Sequence, residues 1–195
     1  MTPAADLAGG ASTAPEPAGV PGVDRPVCVL VGAPGAGKTT VGRLLAARLG
    51  VEFADTDEQI ERAAGKPISD IFVDDGEEHF RSLERAAVAE ALATRRGVLA
   101  LGGGAVLAGA TRELLLAHLV VYLSVELPDA AKRTGLSAAR PLLAINPRAT
   151  MRQLLAERRP LYEEVADVVV PTDRIDAEQV TETVLAALSD LRAQP

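Results

Sequence analysis

Residues 32–39 read GAPGAGKT, and few local structures accept such a run. It follows a continuous apolar stretch of strand length, VCVLV (27–31), and leads into KTTVGRLLAARLG. There Val41, Leu44, Leu45 and Leu49 share one helical face, and Gly50 suits a left-handed stop. Gly32 and Gly37 let the backbone curl so that successive N–H groups point inward. The curl lies at the start of a helix whose dipole favours negative charge, which makes a concavity for phosphate oxygens. Lys38, one of three lysines in the chain, adds a point charge for the β and γ phosphates, and Thr39 places a hydroxyl where Mg²⁺ would sit. The spacing fits GxxxxGK(S/T), in the strand-to-helix context that gives this motif its meaning. Gly35, Ala36, Gly37, Lys38, Thr39 and Thr40 are therefore the expected nucleotide contacts.

The remaining chain alternates in the same way. VEFA (51–54), VLAL (98–101), LVVYLSV (119–125) and DVVVP (167–171) read as further strands. From Gly76 to Arg95, Phe80, Leu83, Ala87, Val88, Ala91 and Leu92 recur at helical spacing. Met151, Leu154 and Leu155 mark another helix, and Val180, Val184, Leu185, Leu188 and Leu191 a closing one. Strands buried on both faces and alternating with helices predict an α/β layer structure around a five-stranded parallel sheet. Residues 1–25, rich in Ala, Pro and Gly, bury too little to order themselves and are expected to be a disordered tail. Residues 26–195 are expected to form a single domain. A formal net charge of -7 argues against a nucleic-acid or anionic-membrane surface. With no apolar run of membrane-spanning length, a soluble cytoplasmic protein that acts as a monomer on small molecules is expected. Cys28, His79 and His118 fit no metal or nucleophile pattern.

A bound triphosphate leaves two classes open: a kinase with a small acceptor, or a nucleotide-binding regulator. A guanine-specific switch would carry an NKxD loop, and none is present. An acceptor site has three candidate parts. Asp55 and Asp57, in DTD, can serve a metal and a substrate hydroxyl, although one of them could equally cap a helix. LGGGA (101–105) allows close approach to bare N–H groups, or is a tight turn. Arg81, Arg140 and Arg158 sit in apolar surroundings; singly each reads as a solvated helix residue, and together they suit an anionic substrate.

These segments, GAPGAGKTT, LGVEFADTDEQIE, ISDIFVDDGEEHFRSLE, VLALGGGAV, VVYLSV, RTG followed by ARPLL, and RRPLY, resemble the shikimate kinases in order and spacing from about Val27 to Leu191. The resemblance implies a P-loop kinase fold with a mobile lid over about 133–148, and phosphoryl transfer from MgATP to the 3-hydroxyl of shikimate. It also implies residue roles. Lys38, Asp57 and Arg140 would be catalytic, with Asp57 on the accepting hydroxyl and Arg140 arriving from the lid. Asp55 would support Mg²⁺ through water beside Thr39. Arg81 and Arg158 would clamp the carboxylate, with Gly103 and Gly104 assisting. Phe72 and Phe80 would wall the pocket, Glu61 would orient an arginine, and Arg133 would lie against adenine. One stretch departs from the pattern: in PTDRIDAEQ, Arg174 falls about one position early and Ala177 replaces a proline. Another small polyol kinase, such as a gluconate kinase, is the alternative enzyme.

Overall fold

The computed structural model describes residues 25–134 and 147–193. Residues 1–24 of the expected tail, Arg140 and most of the expected lid therefore lie outside the described residues. Five strands, β1 (Cys28–Val31), β2 (Phe53–Asp55), β3 (Val98–Ala100), β4 (Val120–Ser124) and β5 (Val168–Pro171), form one parallel sheet in the order β2-β3-β1-β4-β5. The helices are α1 (Lys38–Leu49), α2 (Thr56–Ala64), α3 (Ile68–Asp74), α4 (Gly76–Thr94), α5 (Gly109–Leu115), α6 (Leu127–Arg133), α7 (Pro147–Val165) and α8 (Ala177–Ala193), with a 3₁₀ turn at Ala105–Leu107.

Parallel neighbours need crossovers, and right-handed ones assign each helix to a face. α1 and α8 pack together on one face, while α4 touches α5 and α7 rests on β4 on the other. The central strands β1, β3 and β4 are buried along their length, apart from half-buried Ser124. The edges depart from the expected two-sided burial: β2 is half-buried throughout, and Val169 of β5 is 51% exposed. An edge strand has a neighbour on one side only, and less helix lies over it.

The main core joins both faces of the sheet. A separate small cluster, Ile60, Ile71, Phe80 and Ala87 with Ile68, Phe72 and Leu83 against it, ties α2, α3 and α4 together. This three-helix unit is inserted between β2 and β3, so it stands at the carboxyl ends of the strands, where open α/β sheets bind ligands.

In detail one expectation holds and another shifts. α1 ends as read, with Gly50 in the left-handed region at φ 66°. β2 covers 53–55 rather than 51–54, because its last residue, Asp55, still pairs with Ala100 of β3. The chain therefore remains extended until Asp55 starts α2.

Candidate active site

At the carboxyl end of β1 the loop turns through Gly32, Gly35 and Gly37, at φ 146°, 81° and 92°. A β-carbon on Gly32 would sit 2.5 Å from the Leu123 carbonyl oxygen, so the loop can lie this close to β4 only with glycine there. The Ala36 N–H closes a turn onto the Ala33 carbonyl (3.1 Å). Lys38 Nζ donates to the carbonyls of Gly32 (2.8 Å) and Ala33 (3.2 Å), so its charge is held over the loop.

The two DTD carboxylates divide the roles left open by the sequence. Asp55 accepts from the Thr39 hydroxyl (2.8 Å) through Oδ2 and from the Asp57 N–H (3.0 Å) through Oδ1. It is thus the N-cap of α2 and also reaches across to the phosphate loop. Thr56, fully buried, accepts from the Gly102 N–H (2.9 Å) and fastens the start of α2 to the end of β3. Asp57 lies against Gly102, where a β-carbon would come within 2.3 Å of its Oδ1.

A cavity of about 440 Å³ opens beside the phosphate loop. Its lining includes Thr39, Asp55, Asp57, Glu61, Phe72, Phe80, Arg81, Gly103, Gly104 and Arg158. Phe72 and Phe80 stack at a tilt, with centroids 4.6 Å apart, and the Arg81 guanidinium lies 5.3 Å from the Phe80 centroid. Gly104 leaves room for that guanidinium, whose Nη1 would be 2.1 Å from a β-carbon there. Arg158 donates to the Gly103 carbonyl (3.0 Å).

The carboxylate assigned to orient an arginine needs correction. Glu61 accepts from the Ile68 N–H (2.9 Å) and so holds the start of α3. Arg81 is oriented instead by Glu84 (2.7 Å) and Glu77 (3.1 Å). Glu84 is a site residue that sequence reasoning missed. It is only 4% exposed, and FRSLE already placed a carboxylate three residues beyond the arginine, within reach on a helix. Burial pushes the Glu84 carboxyl above the ordinary range despite the opposing pull of Arg81, with Asp57 adding to the rise. For Arg81, burial acts downward, but pairing with Glu84 and Glu77 wins and raises it.

On the far side of the loop, Arg133 donates to the Thr172 hydroxyl (3.0 Å), the Thr172 carbonyl and, more distantly, the Gly35 carbonyl (3.4 Å). Arg174, the displaced residue of the last loop, takes φ 58° and donates its N–H to Asp129 (2.8 Å). The Glu126 N–H donates in return to Asp173 (2.8 Å). These bonds fasten the loop after β5 to α6, beside the phosphate loop. Among the described residues no group of three or more His, Cys, Asp or Glu could hold a metal, and no helix is long and apolar enough to cross a membrane.

A phosphate loop after the first strand of a five-stranded parallel sheet, opening onto a charged acceptor cavity, defines a P-loop small-molecule kinase. The sequence model of the shikimate kinase family matches residues 34–189. A shikimate kinase of Salinispora tropica is 67% identical over 163 residues, 84% of this chain and 98% of that protein. One of Thermobifida fusca is 59% identical over 164 residues, 84% of this chain and 95% of that protein. The chain belongs to the shikimate kinase family. Among solved structures, the shikimate kinase of Acinetobacter baumannii in complex with shikimate superposes with a TM-score of 0.83 at 40% identity, covering 87% of this chain and 96% of that one.

Proposed function

We propose that this kinase transfers the γ-phosphoryl group of ATP to the 3-hydroxyl of shikimate, giving shikimate 3-phosphate and ADP. The observation that carries the reading is the single cavity in which Arg81, Arg158 and Asp57 face the phosphate loop. Two guanidinium groups suit a substrate carboxylate, and the Asp57 carboxylate in the same cavity suits a hydroxyl.

Lys38 supplies positive charge to the transferring group once it leaves the carbonyls of Gly32 and Ala33. Asp57 orients the accepting hydroxyl and takes its proton late, a role that needs no raised pKa. Arg81 and Arg158 hold the carboxylate, with the backbone of Gly103 and Gly104 beside them. Phe72 and Phe80 shape the wall and exclude water. Arg140, outside the described residues, neutralises charge on the equatorial oxygens. Arg133 flanks the adenine side.

Thr39 and Asp55 would hold the Mg²⁺ that accompanies ATP. They bring a hydroxyl and a carboxylate oxygen together at 2.8 Å, hard donors of the kind this ion prefers, Thr39 directly and Asp55 through water. The ion would neutralise phosphate charge during transfer. ADP release from MgATP, measured with shikimate, quinate, gluconate and no acceptor, tests the reading. Shikimate alone should raise release by several orders of magnitude over the no-acceptor rate. Equal release without an acceptor, or a preference for gluconate, would sink it.

A further inference from the structure

The Gly103 carbonyl accepts twice: from Arg158 (3.0 Å) and from the Tyr162 hydroxyl (2.5 Å). A carbonyl oxygen has two lone pairs, and both are committed here. Both donors come from α7, one turn apart, so a helix on the far side of the cavity grips the glycine turn after β3. Tyr162 is only 1% exposed and is stacked on Tyr122, with centroids 5.0 Å apart. Its ring therefore has little freedom to move. Burial pushes its phenol far above the ordinary range, so it remains a donor at any working pH. The peptide that follows Gly103 is trans and planar. With its C=O aimed at Tyr162, its N–H, on Gly104, is aimed the opposite way. The adjacent Gly104 backbone packs on the Arg81 guanidinium.

We propose that Tyr162 is a positioning residue for acceptor binding: it fixes the Gly103–Gly104 peptide and, through the shared carbonyl, the guanidinium of Arg158. The tyrosine acts on the carboxylate end of the acceptor site without lining the cavity. Were the hydroxyl removed, Arg158 would be the carbonyl's remaining donor. Its guanidinium would then be drawn to the backbone in competition with the substrate carboxylate.

This proposal rests on the shikimate reading, and Tyr162→Phe tests it in the full chain while keeping the ring stack. The KM for shikimate should rise about tenfold, the cost of one well-formed hydrogen bond. The KM for ATP should stay within twofold and kcat within about threefold. Tyr122→Phe removes the stacked neighbour's hydroxyl, which does not reach Gly103, and should leave the shikimate KM unchanged. An unaltered shikimate KM in Tyr162→Phe overturns the proposal. So does a parallel rise in both KM values with a fall in melting temperature, since that marks a merely structural tyrosine. An equal effect of Tyr122→Phe also overturns it. A parent enzyme that shows no shikimate-dependent ADP release overturns the functional reading and the tyrosine's role together, which separates that failure from the others.

Discussion

Asp55 and Asp57 stand two residues apart and do different work, and the difference can be measured. Asp55 caps α2 and receives the Thr39 hydroxyl. Asparagine caps nearly as well, so Asp55→Asn should lose little stability while the Mg²⁺ concentration for half-maximal rate rises severalfold. Asp57→Asn should instead lower kcat by two or more orders of magnitude with the KM for ATP unchanged. Mg²⁺ titrations giving the reverse pattern would exchange the two assignments. Glu84 makes a pH prediction. Its carboxyl is raised in the folded chain, so the folded state keeps the proton longer than the unfolded state does. Its contribution to stability is full below the ordinary glutamate value and is lost as pH rises through the raised one. The urea midpoint of Glu84→Gln relative to the parent should therefore increase across that window. A difference that is flat or falls with pH would show that pairing with Arg81 dominates desolvation.

At the scale of elements, the site depends on β2 lying tightly against β3, because the last residue of β2 is Asp55. Gly97, just before β3, makes that approach possible: a β-carbon there would lie 1.9 Å from the Glu52 carbonyl oxygen. That oxygen accepts the Val98 N–H (2.8 Å) and cannot withdraw without breaking the ladder. Gly97→Ala should cost about 1–3 kcal/mol, read as a lower urea midpoint, and should raise the Mg²⁺ requirement through displaced Asp55. A parental midpoint would mean that the strands separate at no cost. The sequence announced the elements that carry a long period or a continuous apolar run: α1, α4, α7, α8 and all five strands. α3, α5 and α6, of seven residues each, are too short for a period to emerge from the sequence. Within the site, Lys38, Asp57, Arg81 and Arg158 were visible because their residue types are unusual in glycine-rich or apolar surroundings. Glu84 was not, since a glutamate on an amphipathic helix looks solvated until α4 is packed and its carboxylate faces inward. The bond of Glu61 is hidden for a related reason: its partner is a backbone N–H, and backbone partners leave no trace in side-chain pattern.

At the scale of the molecule, the two substrates meet at a boundary between unequal cores. The phosphate loop rises from β1, in the middle of the main core, which is fully buried from Cys28 to Leu30. Much of the acceptor side is carried by α2, α3 and the first half of α4, which rest on a cluster of four buried side chains and three partly buried ones, while Val88, Ala91 and Leu92 root the second half of α4 in the main core. Local opening free energy falls with the apolar area that holds a unit in place, so this unit should open well below the global unfolding cost. Acceptor binding should then stabilise it most, because Asp57 is on α2, Phe72 on α3, and Phe80 and Arg81 on α4. Amide hydrogen exchange with and without saturating shikimate separates this from uniform stiffening. Without ligand, amides of residues 56–74 should exchange at least tenfold faster than those of β1, β3 and β4. With shikimate the protection gained should fall mainly on residues 56–84, while the strands change by less than a few-fold. Stabilisation of the whole fold by mass action alone would instead slow only the amides that exchange through global unfolding, which are those of the central strands. Protection confined to the strands would therefore show that α2, α3 and the first half of α4 do not open as a unit, and that the acceptor meets a site already rigid.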